Sequence, residues 1–181
     1  MRVWRHCGER YNPANIQLHK RSGRFTIPIW GCLSSNGLGI LHRIDGNLDG
    51  LQYRDILESV MLPTDLDSHF SDGNFIFQHD RSPIHESRII KSWFKDEHPE
   101  IEVLDWPRRG ADLNPIENVW GLLKRTIVLQ GVQNKDQLWE ATQVAYNKIM
   151  DENPNLAQNL IDSMKKRVDE VIIREGAWSH Y

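Results

Sequence analysis

Apolar runs separated by turn signals predict a β-hairpin near the start of the chain. Residues 25–34 form an apolar, partly β-branched stretch, and residues 38–44 form a second one after the turn-forming pair Asn36-Gly37. Pro28 interrupts the first stretch and cannot donate a hydrogen bond to a neighbouring strand, so we expect an edge, a bulge or both there. Residues 1–24 are polar and turn-rich, which predicts an irregular arm before a domain spanning 25–181.

Helical and strand-like spacings then alternate. Residues 49–62 carry apolar side chains three and four positions apart, which predicts a helix that Pro63 ends. Short apolar runs at 74–77 and 101–104 predict two strands, the first of them buried, and residues 87–94 predict a helix between them.

The last third of the sequence is helical throughout. Asn114 suits an N-cap and Pro115 a first helical position, so a helix is predicted to begin there. Two further helices are predicted over residues 135–150 and 155–174, the second ending at Gly176. The element order therefore predicts an α/β fold with a helical C-terminal third.

Composition limits the function classes. A chain of 181 residues with 39% hydrophobic and 26% charged residues is typical of one soluble domain. The sequence contains no apolar run long enough to cross a bilayer, and two cysteines give no disulfide framework, so we expect a reducing compartment and no membrane partner.

Net charge argues against a dedicated electrostatic clamp for DNA. The chain has 22 basic and 25 acidic residues, for a formal charge of −3. Basic residues still cluster, and for each cluster a solvated surface and a phosphate contact both remain open. The clusters in the last two-fifths of the chain are Arg108-Arg109, Lys124-Arg125 and Lys165-Lys166-Arg167.

Two carboxylates stand out from this background. Asp80 directly follows a predicted strand, at the sheet edge that ligand sites favour, although an aspartate here could instead cap the following turn. Glu117 lies in the first turn of a predicted helix, where acidic residues are common for electrostatic reasons alone. Enzymes that transfer polynucleotides hold two divalent metals with such a pair, a strand-end carboxylate and a helix-borne one. Nearby His85 could bind metal, shuttle protons or form a local hydrogen bond.

The strings around these carboxylates resemble the catalytic domain of the mariner superfamily of DNA transposases, in its Tc-type branch. The matching segments are 3–5, 8–13, 29–32, 43–47, 77–80, 103–107, 112–120, 163–164, 167–168 and residue 181. The resemblance implies a ribonuclease-H-like (DDE transposase/integrase) fold that lacks its first central strand. Because buried unpaired backbone groups cost about 1–3 kcal/mol each, we expect a marginally stable chain or altered strand pairing.

The resemblance also implies roles for the two carboxylates. Asp80 corresponds to the second catalytic and metal-binding carboxylate of the family and Glu117 to the third, with 36 residues between them. The expected cofactor is Mg²⁺ or Mn²⁺ in a two-metal site, because hard cations prefer oxygen ligands. The first catalytic aspartate has no counterpart in this sequence, since Asp45 and Asp49 match a different family position.

The resemblance makes DNA the expected partner, which in the family means transposon ends, and it leaves a homodimer open. We interpret the chain as a nuclear, transposase-derived domain of the cut-and-paste type, catalytically incomplete alone. Two alternatives remain: a domesticated DNA- or protein-binding module, and a host nuclease that works with another subunit. The candidate DNA contacts are Arg81, His85, Arg108, Arg109, Lys124 and Arg125.

Overall fold

The computed structural model describes residues 25–64, 75–107 and 110–176. The predicted arm at 1–24 and the arginines Arg108 and Arg109 lie outside these described residues. Among the helices that are described, none has the length and apolar character needed to cross a membrane.

The predicted hairpin is present, and it contains a bulge. Its four short strands are β1 (Ile29–Trp30), β2 (Leu33–Ser34), β3 (Gly37–Leu38) and β4 (His42–Arg43). In β1 and β4 Trp30 pairs with His42, whereas in β2 and β3 Leu33 pairs with Leu38. The return strand thus carries one extra residue between the two pairings, which is the definition of a β-bulge.

The first predicted helix has a widened end. It consists of α1 (Gly50–Ile56), a π-helical turn (Leu57–Met61) and α2 (Leu62–Thr64). Asp49 caps its start by accepting a hydrogen bond from the Gln52 backbone N–H at 2.9 Å. Pro63 lies inside α2 and does not end the helix as predicted, although its ring would clash with the carbonyl four residues earlier in a regular α-helix. The wider π turn before it relieves that clash.

A parallel strand pair follows. Strand β5 (Ile76–Phe77) pairs with β6 (Glu102–Val103), and the connection carries α3 (Arg88–Ser92) and a π-helical turn (Trp93–Glu97). The predicted helix at 87–94 therefore runs three residues further. Both strands are present but shorter than their apolar runs, and the predicted burial of the first holds for Phe77 but not for the exposed Ile76.

In the C-terminal third, the described residues up to 176 form four helices rather than three. They are α4 (Ile116–Thr126), α5 (Lys135–Glu152), α6 (Leu156–Asp162) and α7 (Met164–Ile173). The single helix predicted over 155–174 is wrong, because the chain breaks at Ser163. Its hydroxyl donates to the Leu160 carbonyl at 2.6 Å and so competes with the helical backbone bonds at that carbonyl.

Two apolar clusters form the interior. One joins the hairpin to α4, α5 and α6, and its most buried members include Val119, Leu123 and Ile149. The other joins α1, β5 and α3 through Tyr53, Phe77 and Ile90, together with Leu57 and Trp93 of the π-helical turns. Neighbouring hairpin residues point to different clusters, Ile29 to the first and Trp30 to the second, because side chains alternate along a strand. The hairpin therefore connects both halves of the core.

The strands of the described residues form three separate two-stranded sheets. Among those residues no backbone ladder joins the hairpin to the β5–β6 pair. The space between them is a cleft instead, and it contains the candidate site.

Candidate two-carboxylate site

Both predicted carboxylates line one cleft. It has a volume of about 480 Å³, and its walls come from the hairpin, the β5 strand and the start of α4. Its lining includes Trp30, Phe77, Asp80, His85, Asn114 and Glu117. Asp80 and Glu117 thus belong to different core halves but border the same space.

Local contacts orient the Asp80 side chain. Asp80 follows β5, as the sequence predicts, and its side chain is 56% exposed. Its Oδ1 accepts a hydrogen bond from the Ser82 backbone N–H at 3.0 Å, so the alternative reading of Asp80 as a turn cap also holds. The same oxygen lies 2.7 Å from Nδ1 of His85. A carboxylate can only accept, so His85 Nδ1 carries the proton of this bond.

His85 is itself held in an aromatic stack. Its ring centroid lies 4.2 Å from that of Tyr53 and 4.8 Å from that of His79, and the two histidine rings are nearly parallel. The Tyr53 hydroxyl lies 3.1 Å from Nδ1 of His79. The side chain of His85 is only 19% exposed, so the stack restrains the ring that holds Asp80.

Burial sets the protonation of this stack. Desolvation, followed by repulsion from His85, lowers the pKa of His79 from its ordinary 6.5 to about 4. Desolvation and the nearby Asp80 raise the pKa of Tyr53, so its hydroxyl stays protonated. Tyr53 therefore donates to a neutral His79, whose Nδ1 accepts.

Glu117 is placed by the start of α4. The cap residue of α4 is Pro115, one position after the predicted Asn114, but the Asn114 Oδ1 still accepts from the Ile116 backbone N–H at 3.3 Å and so satisfies the first N–H of the helix. Pro115 has helical backbone angles, and the Glu117 N–H donates to the Asn114 carbonyl at 3.1 Å. Glu117 is exposed on this first turn, facing the cleft shared with Asp80.

One residue near Glu117 escaped the sequence reasoning. Arg167 stands in a basic run, yet it is only 2% exposed, and its guanidinium donates to Asn118 Oδ1 at 2.9 Å. The signal available in sequence was its place within the apolar spacing of the last predicted helix, where its neighbours Lys165 and Lys166 are exposed.

Comparison with known proteins places this chain in a family. Residues 1–139 match the sequence model of the family described as DDE superfamily endonuclease. The chain belongs to the DDE superfamily endonuclease family. It is 34% identical over 179 residues to the transposase of transposable element Tc1 from Caenorhabditis elegans, and 33% identical over 180 residues to that of Tcb2 from Caenorhabditis briggsae. These alignments cover 99% of this chain and 63% of each relative.

Solved structures show the fold of this DDE superfamily member. The catalytic domain of Mos1 mariner transposase matches 85% of the chain, and 76% of that structure, with a TM-score of 0.73 at 13% identity. A Mos1 mariner paired end complex with Mn matches 87% of the chain, and 47% of that structure, with a TM-score of 0.71 at 16% identity. The predicted resemblance and the ribonuclease-H-like fold class are both confirmed.

The ligand atoms at the cleft are of the chemical type that divalent cations prefer. Asp80 and Glu117 both offer carboxylate oxygens to the cleft, which is what Mg²⁺ and Mn²⁺ prefer. Within the described ranges, no group of three or more His, Cys, Asp or Glu side chains is placed to hold a metal. Asp45 and Asp49 have other contacts. The Asp45 Oδ1 lies 3.7 Å from Nε of Arg43, and Asp49 caps α1.

The other candidate DNA contacts have mixed surroundings. Arg81 is paired with the exposed Asp105, which ties the loop after β5 to the loop after β6. Lys124 and Arg125 are exposed in the last turn of α4, where cations also favour the helix dipole. DNA binding by these residues and by His85 stays a prediction, as it does for Arg108 and Arg109 outside the described residues.

Proposed function

We propose that this chain supplies part of a metal-dependent DNA-cleaving and strand-transfer site of the transposase type. The observation that carries the proposal is that Asp80 and Glu117 border one cleft while standing on different elements. Family membership supports the reaction class. The chain spans 63% of the length of its Tc1 and Tcb2 relatives, so the activity of a whole transposase is part of this proposal.

Asp80 and Glu117 would hold the metal. A bound divalent ion would supply charge stabilisation at a phosphodiester and activate the attacking oxygen. The Mos1 transposase catalytic domain has been solved with Mg and the Mos1 paired end complex with Mn, which supports the choice of cation. His85 would keep the Asp80 carboxylate turned in one direction, since its Nδ1 lies 2.7 Å from Oδ1.

DNA would approach along the exposed face of α4. Lys124 lies seven positions after Glu117, which puts it on the same helix face, roughly 10 Å away. A phosphate there would gain from Lys124, and Arg81 could exchange Asp105 for a phosphate, because exposed ion pairs contribute little. The same proposal includes three further points: the DNA consists of transposon ends, the chain assembles as a homodimer, and it acts in the nucleus.

We further infer that the chain cleaves DNA poorly by itself. The family resemblance calls for three catalytic carboxylates, and residues 1–181 offer matches for two. A metal with two carboxylate ligands is bound more weakly and oriented less rigidly than one with three, so both affinity and rate would fall.

Metal binding gives the first test. We would follow the backbone amide NMR signals of the chain as Mn²⁺ is added, because the paramagnetic ion broadens nearby signals. We expect broadening at Asp80 and at Glu117, and its loss at both after either Asp80→Asn or Glu117→Gln. Asp96→Asn serves as the matched control, because Asp96 is an exposed acid on a different surface turn. Broadening that survives both substitutions would refute the shared site.

Cleavage gives the second test. The chain is incubated with linear duplex DNA and Mn²⁺, and nicks are resolved on a denaturing gel. We expect little or no nicking. Robust nicking that Asp80→Ala abolishes would contradict the inferred weakness but support the site. Metal-independent DNA binding that is unchanged in Asp80→Ala and Glu117→Ala would instead favour a binding module without catalysis.

A further inference from the structure

A buried arginine connects the C-terminal helix to the segment that carries Glu117. Arg167 belongs to α7, in one of the short segments that resemble the transposase family but beyond residues 1–139, which match the family model. Its side chain is almost completely buried, although the neighbouring Lys165 and Lys166 are exposed. A guanidinium is rarely removed from water unless its donors are used, so its contacts are informative.

The guanidinium donates to three sites on two segments. Its Nη2 donates to the Asn118 side-chain oxygen at 2.9 Å, and its Nη1 lies 3.4 Å from the Asp112 carbonyl oxygen. Its Nε donates to the Ser163 hydroxyl at 2.9 Å, and Ser163 lies one helical turn earlier, at the junction of α6 and α7. The planar fork thus spans the junction of α6 and α7 and the start of α4.

These contacts flank Glu117 on both sides. Asn118 is the next residue along α4, and Asp112 lies in the turn that leads into that helix. Ser163 in turn donates to the Leu160 carbonyl at 2.6 Å, and Leu160 packs against the core cluster of the hairpin and α4. The chain of contacts therefore fixes the first turn of α4 to a packed part of the molecule.

We propose that Arg167 is a positioning residue for Glu117. It holds the turn at 111–113 and the first turn of α4 in one orientation, so that the Glu117 carboxylate faces the cleft it shares with Asp80. This inference rests on the proposed function for the role of Glu117, but the orientation of the α4 start is a separate, measurable property.

Lysine cannot replace this arginine. Its single ammonium group is a point charge that cannot reach Asn118, Asp112 and Ser163 with three separately directed nitrogens. Arg167→Lys is therefore a useful variant, since it keeps the charge and most of the length while removing the fork. Arg167→Met removes both, and Lys166→Met is the matched control on an exposed neighbour.

Hydrogen exchange of the backbone amides tests the positioning without any metal. In Arg167→Met we expect exchange over residues 112–118 to accelerate at least tenfold, and exchange in the buried part of α1 to stay within twofold of wild type. Arg167→Lys should accelerate the same segment by a smaller factor, and Lys166→Met should change neither. Unchanged exchange at 112–118, or equal acceleration in every helix, would overturn the proposal. If Arg167→Met does not fold, Arg167→Lys decides by the same criterion.

Mn²⁺ broadening then links the orientation to the site. At one sub-saturating Mn²⁺ concentration, Arg167→Lys should lose at least half of the broadening at both Glu117 and Asp80, because the two carboxylates share the ion, whereas Lys166→Met should keep it. Equal broadening at both residues in wild type and variant would overturn the link to Glu117. If wild type shows no broadening at either residue, the proposed metal site fails, and the exchange result alone decides the role of Arg167.

Discussion

The two carboxylates of the cleft are positioned by different kinds of contact. Asp80 is oriented by residues close to it in sequence, since Ser82 and His85 both hold its side chain within five positions. The start of the Glu117 helix is fixed by Arg167, 49 positions after Asn118. The orientation of the Asp80 side chain should therefore survive small shifts of the fold. The orientation of Glu117 depends on how α7 packs.

The core follows the same division. Asp80 follows β5, which packs in the apolar cluster of α1, β5 and α3. Glu117 lies on α4, which packs in the cluster of the hairpin, α4, α5 and α6. The hairpin is shared through Ile29 and Trp30. Changes confined to one cluster should therefore loosen one carboxylate before the other, and the following predictions test that, from the largest expected effect to the smallest.

Removing the largest buried side chain of the Asp80 half should have the greatest effect. Trp93 is fully buried, and its indole N–H donates to Glu58 at 2.9 Å. Trp93→Ala should lower the free energy of unfolding by about 3–5 kcal/mol, through lost burial and the cavity left behind. Chemical denaturation followed by circular dichroism measures this loss.

The counterpart in the other half is Ile149→Ala, which should cost about 2–5 kcal/mol. Hydrogen exchange should rise first around β5 in the Trp93 variant and first around α4 in the Ile149 variant. Simultaneous acceleration of both halves in either variant would contradict the division of the core and indicate one cooperative unit.

Acid should destabilise the Asp80 half through His79. Its pKa is about 4 when folded, because burial and His85 disfavour the charged ring, and it returns to about 6.5 on unfolding. Between these values the unfolded chain binds the extra proton, so His79 has little effect on stability above pH 6.5 and destabilises the fold increasingly as the pH drops from 6.5 towards 4. The total loss is about 3 kcal/mol, measured as the free energy of unfolding from pH 7.5 to 4.5.

The pH slope, rather than the absolute stability, identifies His79 as the source. His79→Phe keeps an aromatic ring in the stack but cannot titrate, so its stability should fall less steeply between pH 6.5 and 4.5. Tyr146→Phe, which changes no group that titrates in this pH range, should retain the wild-type slope. An undiminished slope in His79→Phe would assign the acid sensitivity to other groups.

The sequence predicted what is encoded within a few residues. The hairpin follows from the turn at Asn36-Gly37, the α4 start follows from Asn114-Pro115, and the place of Asp80 follows from the strand before it. Each of these features is decided by local backbone preference, which neighbouring residues determine. The family resemblance then brought Asp80 and Glu117 together, which spacing alone could not.

The sequence does not reveal which residues far apart along the chain contact each other. Arg167 falls at an apolar-spaced position, yet the sequence groups it with two surface lysines. Nothing near it in sequence shows that its guanidinium contacts Asn118 and Asp112. The break at Ser163 was missed for a related reason. Apolar spacing continues through that position, and a serine hydroxyl that bonds to its own helix leaves no mark on the spacing.

Each half also contains a buried tyrosine whose hydroxyl makes a long-range bond. The Tyr146 hydroxyl donates to the Gly39 carbonyl at 2.7 Å, which fastens the hairpin to α5. Tyr146→Phe leaves that buried carbonyl without this donor and should cost about 1–2 kcal/mol. Tyr53→Phe removes the hydroxyl bond to His79 and should cost a similar amount. Thermal unfolding of both variants at pH 7.5 provides the comparison.

The two tyrosine variants should differ in which carboxylate they affect. Tyr53→Phe should loosen the stack beside Asp80, and Tyr146→Phe should loosen the hairpin in the Glu117 half. Amide exchange at 79–85 and at 37–44 separates the two effects. Identical exchange patterns would show that neither hydroxyl acts locally.

The smallest expected effect concerns an exposed link within the Glu117 half. Arg43 of β4 donates to Asp136 in the first turn of α5 at 2.7 Å, and the aspartate is largely exposed. Solvent screens such a pair, so Asp136→Asn should lower the free energy of unfolding by only about 0.5 kcal/mol, and less at high salt. A double-mutant cycle with Arg43→Gln isolates the pair energy from the separate effect of an acid at a helix start. A coupling above about 1.5 kcal/mol would mean that this link helps to fasten the hairpin to α5, a task the structure otherwise assigns to the buried Tyr146 bond and the apolar packing.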